Sequence, residues 1–168
     1  FRQILTNAHT GGVPSMRAHE DLYAFMTENL TTQAMIHYLL QCTQITDVNR
    51  VLFVDQQHPD AVDYLSTLTL IGLKEHFGQQ CSPLFPAPWI YRDYDGDVSH
   101  LYGRGFGTTR LLDPDLRADN EFSGATAELR YQDFDSLVIG SISRNTELAQ
   151  ELAQYFAPDR TIWIHGED

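Results

Sequence analysis

Lysine, cysteine and long apolar runs are scarce in this sequence, and each scarcity excludes a class of protein. Lys74 is the only lysine, and 11 basic side chains stand against 23 acidic ones, which gives a net charge of -12. No Lys/Arg cluster forms the basic face that nucleic-acid binding through phosphates requires. We therefore expect no nucleic-acid partner. A sugar diphosphate stays compatible with the charge, because helix N-termini and one or two arginines can hold it.

The two cysteines, Cys42 and Cys81, lie too far apart in sequence for a CxxC metal or redox site. They are also too few for the disulfide framework of a small secreted domain, so we expect two reduced, mostly buried thiols. No run approaches the roughly 18 apolar residues of a transmembrane helix, and the N-terminus lacks the pattern of a signal peptide. We expect no membrane span and a cytoplasmic setting.

Residues 1–50 read as a loop followed by a helical arm. His9 to Pro14 has a loop composition, because the Gly-Gly pair and the pre-proline position both disfavour helix. Apolar residues at helical spacing then predict helices over 16–30 and 33–42, with Ser15 as the first N-cap and Thr31 or Thr32 as the second.

Residues 51–168 alternate between strand and helix patterns. Short apolar runs predict buried strands, and proline and glycine mark where the helices begin and end. A stretch with three prolines predicts only a short or edge strand. The predicted strands are 51–54, 135–141 and 161–165, with the weak one inside 81–91, and the helices run from Pro59 to Phe77 and from Asn145 or Thr146 to Phe156. This order predicts an α/β fold, a Rossmann-like three-layer domain with a mostly parallel sheet, preceded by the N-terminal helical arm.

In such a sheet, ligands bind beyond the carboxyl ends of the strands. Those ends are 55–58, 141–144 and 165–168. His58 and His165 lie there beside acidic residues, where a general acid or base is well placed, although an N-cap and a solvent-facing rim residue are the alternatives. The candidate catalytic residues are Asp55, His58, His165 and Asp168, and the candidate substrate-binding residues are Tyr102, Gly103, Arg104, Gly105, Phe106, Ser141 and Arg144.

Two further patterns fail the tests of their context. Gly103–Gly107 resembles a dinucleotide-binding fingerprint, but it lies well after the first strand and its helix rather than between them. Asp93–Asp97 has acidic residues at EF-hand spacing, yet Val98 replaces the required glycine and Arg104 the final glutamate. The histidines show no zinc-binding spacing. We therefore expect no metal and no tightly bound cofactor.

Six segments together resemble a family of bacterial glycosyltransferase-like proteins: Val51–Asp55, Asp63–Leu65, Gly72–Leu73, Leu101–Phe106, Phe134–Arg144 and Ile162–Asp168. The resemblance implies the N-terminal Rossmann-like half of a two-domain GT-B enzyme, in which the acceptor usually binds the first half and the nucleotide mostly the second. It implies a nucleotide sugar as co-substrate and a small-molecule or glycan acceptor. The chain begins at Phe1 and stops at Asp168 after an apolar run, and we expect it to be a fragment, inactive or weakly active alone.

A non-catalytic binding or assembly module is the alternative function. The helices predicted over 16–30 and 33–42 carry apolar stripes that must be buried against something. A second copy of the chain would cover them, so this alternative predicts a homodimer through the N-terminal helices.

Overall fold

The computed structural model of the chain describes residues 16–45, 47–56, 63–119, 121 and 130–165. Four strands form one parallel sheet: β1 (Val51–Val54), β2 (Cys81–Pro83), β3 (Ser136–Ile139) and β4 (Thr161–Trp163). Their order is β2-β1-β3-β4, so the chain moves outward from the centre of the sheet in two opposite directions. The predicted α/β fold is confirmed, and the topological switch lies between β1 and β3.

Helices cover both faces of the sheet. The helices α2 (Thr32–Thr43) and α3 (Tyr64–Phe77) pack on one face and α4 (Thr146–Leu152) packs on the other, whereas α1 (Met16–Asn29) precedes them in the chain. In β1, Val51 and Phe53 pack on the α3 side, while Leu52 and Val54 pack on the α4 side. All four residues of β1 are buried, as expected for a central strand that has helices on both faces. The domain therefore has three layers, as predicted.

The second helix of the predicted arm belongs to the core. Thr31 caps α2, as predicted, and its hydroxyl accepts a hydrogen bond from the Ala34 amide at 3.1 Å. Ile36 is fully buried against α3. A Cβ on Gly72 of α3 would lie 2.6 Å from the Thr32 carbonyl oxygen, so this close helix crossing needs glycine. In contrast, α1 has no buried residue.

Two of the local predictions differ from the structure, and a third falls outside the described residues. The helix α4 ends at Leu152 rather than at Phe156, because the chain turns there, although Phe156 still packs in the core. Cys42 is exposed, whereas only Cys81 is buried. The predicted start of the third helix at Pro59 lies outside the described residues. Within them, α3 begins at Tyr64 and ends at Phe77, as predicted, with Gly78 as its C-cap. No described helix is both long and apolar enough to cross a membrane.

A fully buried ion pair ties the long segment after β2 to α3. The Lys74 ammonium donates to Glu121 Oε2 and to the Cys81 carbonyl, each at 2.6 Å, and neither charged side chain is exposed. The Tyr91 hydroxyl donates to the same carboxylate, 2.8 Å from Oε1. Every charge therefore has a partner, which is the condition for keeping ions in a protein interior. Burial raises the pKa of the neighbouring Cys81 thiol to about 12, so this cysteine stays protonated.

We expect Lys74→Met to lower the free energy of unfolding by about 3–5 kcal/mol, because it leaves the Glu121 carboxylate buried without its cation. The double variant Lys74→Met with Glu121→Leu removes both charges and should recover much of that loss. Urea unfolding of the two variants and the parent protein measures both effects. A double variant no more stable than Lys74→Met alone would contradict the coupling.

Candidate functional site

The structure brings three of the predicted site residues together at the switch between β1 and β3. Asp55 follows β1 directly, and Ser141 and Arg144 follow β3. A backbone hydrogen bond of 2.9 Å from the Gly140 amide to the Val54 carbonyl holds the two strand ends side by side. His58 and Asp168 lie outside the described residues. This edge of the sheet is where ligands of open α/β domains bind.

Asp55 is the centre of this cluster. Its side chain is fully buried, and each carboxylate oxygen accepts two hydrogen bonds. Oδ1 accepts from Arg144 Nε and from Asn145 Nδ2, both at 2.8 Å. Oδ2 accepts from Arg144 Nη2 at 2.6 Å and from the Ser66 hydroxyl. Because a carboxylate offers about four lone-pair sites, none is left to take a proton from a substrate.

Asn145 connects Asp55 to the turn after β3. Besides its bond to Asp55, its amide nitrogen donates to the Ser141 carbonyl at 2.6 Å. Its amide oxygen accepts from the Gln56 backbone amide at 2.8 Å. The sequence indicated Asn145 as an N-cap of α4, but its side chain makes no capping bond there. It bonds across the switch instead, and these partners fix its amide orientation.

The cluster can close this tightly because residue 140 is a glycine. A Cβ at this position would lie 2.4 Å from the Ser66 hydroxyl oxygen and 2.9 Å from Asp55 Cβ. Such distances are far inside van der Waals contact, and Phe53 closes the third side at 2.9 Å. Gly140 therefore serves close packing between β3, β1 and α3.

Arg144 is the part of the cluster that reaches the surface. Its guanidinium binds Asp55 in a bidentate fashion, and its side chain keeps 29% of its exposure. Nη2 also donates to Asp63 Oδ2 at 3.1 Å. The hydrogen bond to Asp55 is the main cause that raises the pKa of Arg144, so the group stays charged. Nη1 bonds no described residue, which leaves two donors that can meet a ligand.

Asp63 joins α3 to the site. Its Oδ1 caps the helix, because it accepts from the amides of Leu65 and Ser66 at 2.8 and 3.3 Å. Its Oδ2 bonds Arg144. Two carboxylates, those of Asp55 and Asp63, therefore surround one guanidinium, and the local charge at the switch is negative.

Sequence reasoning missed three members of this cluster: Asp63, Ser66 and Asn145. Asp63 and Asn145 stand at helix starts, where capping is the ordinary explanation of such residues. The sequence carries no signal that separates a capping role of Asn145 from a bond across the sheet. Ser66 carries no signal in the sequence, because it lies inside a helix pattern.

The predicted substrate-binding turn packs against the side chain of Tyr64. Tyr102–Gly105 forms a tight turn, and a Cβ on Gly103 would lie 2.3 Å from the Tyr64 hydroxyl oxygen. Tyr64 is the first residue of α3 and directly follows Asp63, which bonds Arg144. The Gly103 backbone therefore lies against the hydroxyl end of a side chain whose neighbour in sequence belongs to the cluster.

The same turn is anchored on its other side. The Gly105 carbonyl accepts from the Thr108 amide at 3.2 Å and from the Thr109 hydroxyl at 3.0 Å. The Arg110 amide then donates to the Trp89 carbonyl at 2.8 Å. Arg104 and Phe106 nonetheless project outward, and Phe106 is 86% exposed. The turn is held firmly while these two side chains face solvent.

His165 follows β4 at the same edge of the sheet. The Ile164 amide donates to the Ile139 carbonyl, and the Ile164 carbonyl accepts from the Ile142 amide, both at 3.0 Å. These bonds place His165 beside the turn that begins at Ser141, and its side chain is exposed. The Ser141 and Ser143 hydroxyls lie 3.1 Å apart in that turn.

Two of the three acidic residues of 93–97, Asp93 and Asp97, have local partners. Asp93 forms an ion pair with Arg117, with Oδ1 2.6 Å from Nη2, and this hydrogen bond lowers the pKa of Asp93. Asp97 accepts from the Ser99 amide at 2.9 Å and from its hydroxyl at 2.7 Å, and these bonds lower its pKa as well. Over the residues that the structure describes, no three His, Cys, Asp or Glu side chains gather to hold a metal ion.

We expect Asp55→Asn to lower the free energy of unfolding by about 2–3 kcal/mol, because it removes the charge from a buried carboxylate with four donors around it. The matched control is Asp93→Asn, which breaks another Asp–Arg pair whose aspartate side chain is 48% exposed. That control should cost less than about 1 kcal/mol. Chemical denaturation measures both, and equal losses would show that Asp55 is not a structural centre.

A search of known protein families, curated proteins and solved structures finds no match to this chain. The function must therefore be argued from the site. Its chemistry is that of a rigid polar cluster at a strand-switch edge, with one half-exposed guanidinium, hydroxyl groups and an exposed imidazole. Such groups can bind and orient a polar ligand and exchange a proton with it.

Proposed function

We propose that this domain is the acceptor-side domain of a nucleotide-sugar-dependent glycosyltransferase. The observation that carries the proposal is the bidentate Asp55–Arg144 pair at the switch between β1 and β3, which leaves Arg144 Nη1 without a partner among the described residues on a side chain that is 29% exposed. A rigidly held cation is suited to the diphosphate that departs in glycosyl transfer. The resemblance of the strand-end segments to glycosyltransferase-like proteins supports the same reading.

Within this proposal, Asp55 is a positioning residue rather than a base. Its four hydrogen bonds leave no lone pair for a substrate proton. Its role is to fix the guanidinium plane of Arg144, with Asn145 and Ser66 fixing the carboxylate in turn. The catalytic role that the sequence predicted for Asp55 thus becomes indirect.

His165 is the base of the proposed reaction. It accepts the proton of an acceptor hydroxyl while that oxygen forms a bond to the anomeric carbon of the donor. The bond from that carbon to the diphosphate oxygen breaks, and the nucleoside diphosphate leaves with the electron pair. Arg144 stabilises the charge that develops on the leaving group. His58 and Asp168 stay predictions for the same cleft.

The proposal places the enzyme in the cytoplasm and gives it no tightly bound cofactor. Both cysteines are free thiols, which fits a reducing compartment. The nucleotide sugar is a co-substrate that comes and goes with each turnover.

Thermal-shift measurements of the full protein with UDP-, GDP- and TDP-sugars test the proposal. A sugar nucleotide at about 100 times its dissociation constant adds about 2.7 kcal/mol, which corresponds to a rise in Tm of about 5–11 °C. Arg144→Gln should abolish the rise, whereas Arg17→Gln on α1 makes the same charge change far from the site and should retain it. If none of the three classes raises the Tm, the proposed activity is wrong.

Self-assembly through the N-terminal helices is a second candidate, favoured by the exposed apolar side chains of α1, of α2 and of the turn between them. Tyr23 is 73% exposed, Leu30 64% and Tyr38 69%. Leu30 and Tyr38 line a groove of about 690 Å³ between the two helices. A second copy that brings the same residues would cover this face by two-fold symmetry.

The dimer candidate predicts that the protein has twice its monomer mass in light scattering, and that Leu30→Glu lowers it to the monomer mass. A charge in the centre of an apolar interface removes its burial energy and adds a desolvation cost. Glu20→Gln, on α1, is the control and should leave the mass unchanged. A monomer at all concentrations would exclude the candidate.

A further inference from the structure

Arg104 adopts an unusual backbone conformation. Gly103, Arg104 and Gly105 have φ values of 60°, 56° and 70°, so three consecutive residues are left-handed. Glycine reaches this region freely, whereas a residue with a Cβ does so at an energetic cost. The conformation of the turn would therefore be less costly with glycine at position 104 than with arginine. Residues that break a local rule in this way are found at functional sites.

Arg110 provides a contrast within the same segment. Its φ is also 56°, but its guanidinium donates to the Tyr94 carbonyl at 2.9 Å and to the Gly96 carbonyl at 3.2 Å. Those bonds compensate for the strained backbone. The Arg104 side chain bonds no residue in the described ranges and is exposed. Nothing in that part of the fold explains why position 104 carries a cation.

The charge at the switch explains the need for a second cation. Asp55 and Asp63 both bond Arg144, so this single guanidinium is already outweighed. A phosphate that approached Arg144 alone would also meet the negative field of the chain, whose net charge is -12. Arg104 lies in the turn that packs against the Tyr64 hydroxyl, and it supplies a positive charge without a carboxylate bonded to it among the described residues.

Phe106 adds a flat apolar surface next to this cation. It is 86% exposed, although burial would be the ordinary fate of a phenylalanine ring. The Phe106 amide donates to the Gly103 carbonyl at 3.2 Å, so the ring starts from the same fixed turn as Arg104. A cation and an aromatic ring two residues apart can bind a phosphate and the ring that carries it.

We propose that Gly103–Gly107 is a recognition turn for a phosphate ester carried by a ring, in which Arg104 binds the phosphate and Phe106 contacts the face of the ring. The placement of the turn in the cleft rests on the proposed function, but the binding chemistry does not. Two sources share this chemistry, a nucleotide and a sugar phosphate. Either would lie against the turn with its phosphate directed to the edge that holds Arg144.

Isothermal titration calorimetry of the full protein tests the turn, with uridine 5′-monophosphate, glucose 1-phosphate, inorganic phosphate, uridine and glucose as probes. We expect at least one ring phosphate to bind more tightly than inorganic phosphate and than its uncharged counterpart. Tighter binding of uridine 5′-monophosphate identifies a nucleotide, and tighter binding of glucose 1-phosphate identifies a sugar phosphate. Equal binding of inorganic phosphate, or no binding of any probe, overturns the proposal.

Substitutions then connect the binding to the turn. Arg104→Gln should weaken the ring phosphate about tenfold, the effect of losing one charge-assisted hydrogen bond. Phe106→Ala should weaken it about fivefold or more, and Phe106→Tyr should restore it. Arg17→Gln and Tyr23→Ala make matched changes on α1 and should bind as the parent does. If Arg104→Gln weakens binding no more than Arg17→Gln does, the proposal is wrong.

A stability measurement separates recognition from a structural role. Arg104→Gly relieves the strained backbone and should raise the Tm while it weakens binding. Arg110→Gly loses two hydrogen bonds and should lower the Tm. A fall in Tm for Arg104→Gly would overturn the inference, because it would show that the side chain stabilises the fold.

The outcomes distinguish this inference from the proposed glycosyltransferase activity. If sugar nucleotides leave the Tm unchanged but Arg104→Gln weakens a ring phosphate, the turn is a phosphate-ester site and the proposed activity is wrong. If sugar nucleotides raise the Tm equally in the parent and in Arg104→Gln, and no ring phosphate depends on Arg104, the turn is not the recognition element.

Discussion

The carboxylate of Asp55 is the interaction on which the switch edge of this domain depends. It joins the end of β1 to Ser66 of α3, 11 residues away, and to Arg144 and Asn145, 89 and 90 residues away. Parallel strands need long crossovers, so nothing local in the sequence holds their carboxyl ends together. In any other register of the strands this buried carboxylate would lose its hydrogen-bond donors, and an unpaired buried charge is costly. The carboxylate therefore favours the observed register. The same bonds that fix the fold therefore orient the guanidinium offered to a ligand.

The ion pairs Lys74–Glu121 and Arg144–Asp55 differ in how completely they are buried, and this difference decides whether a ligand can reach them. Lys74 and Glu121 have no exposed side-chain surface, and the Tyr91 hydroxyl and the Cys81 carbonyl take up their other hydrogen bonds. This pair can only hold the segment after β2 in place. Arg144 shares its aspartate in the same way but keeps solvent on one side. A pair that is sealed on one side and open on the other combines a fixed geometry with access to a ligand.

The strands and the three layers could be predicted from the sequence, but the side-chain hydrogen bonds and ion pairs that join them could not. The run Val51–Val54 is apolar without alternation, which indicates a strand covered on both faces, and the structure confirms it. The site prediction reached Asp55, Ser141 and Arg144, because strand ends can be read from the pattern. Asn145 was out of reach, since a capping role and a bond across the sheet look identical in one sequence. The burial of Lys74 was equally hidden, because its partner Glu121 lies 47 residues away.

The negative charge of the chain bears on what Arg104 and Phe106, the two exposed side chains of the turn, can bind. A protein with a net charge of -12 repels anions over a Debye length of about 8–10 Å, so a phosphate reaches the edge only where a cation acts at contact distance. Arg144 cannot do this alone, because Asp55 and Asp63 share its charge. In our proposal Arg104 provides that contact, from a backbone held by the hydrogen bond between the Thr109 hydroxyl and the Gly105 carbonyl. The same scarcity of cations favours a phosphate carried by a ring over a phosphate without one. An anion without a ring cannot contact Phe106, so it has only the contact with Arg104 to offset the repulsion.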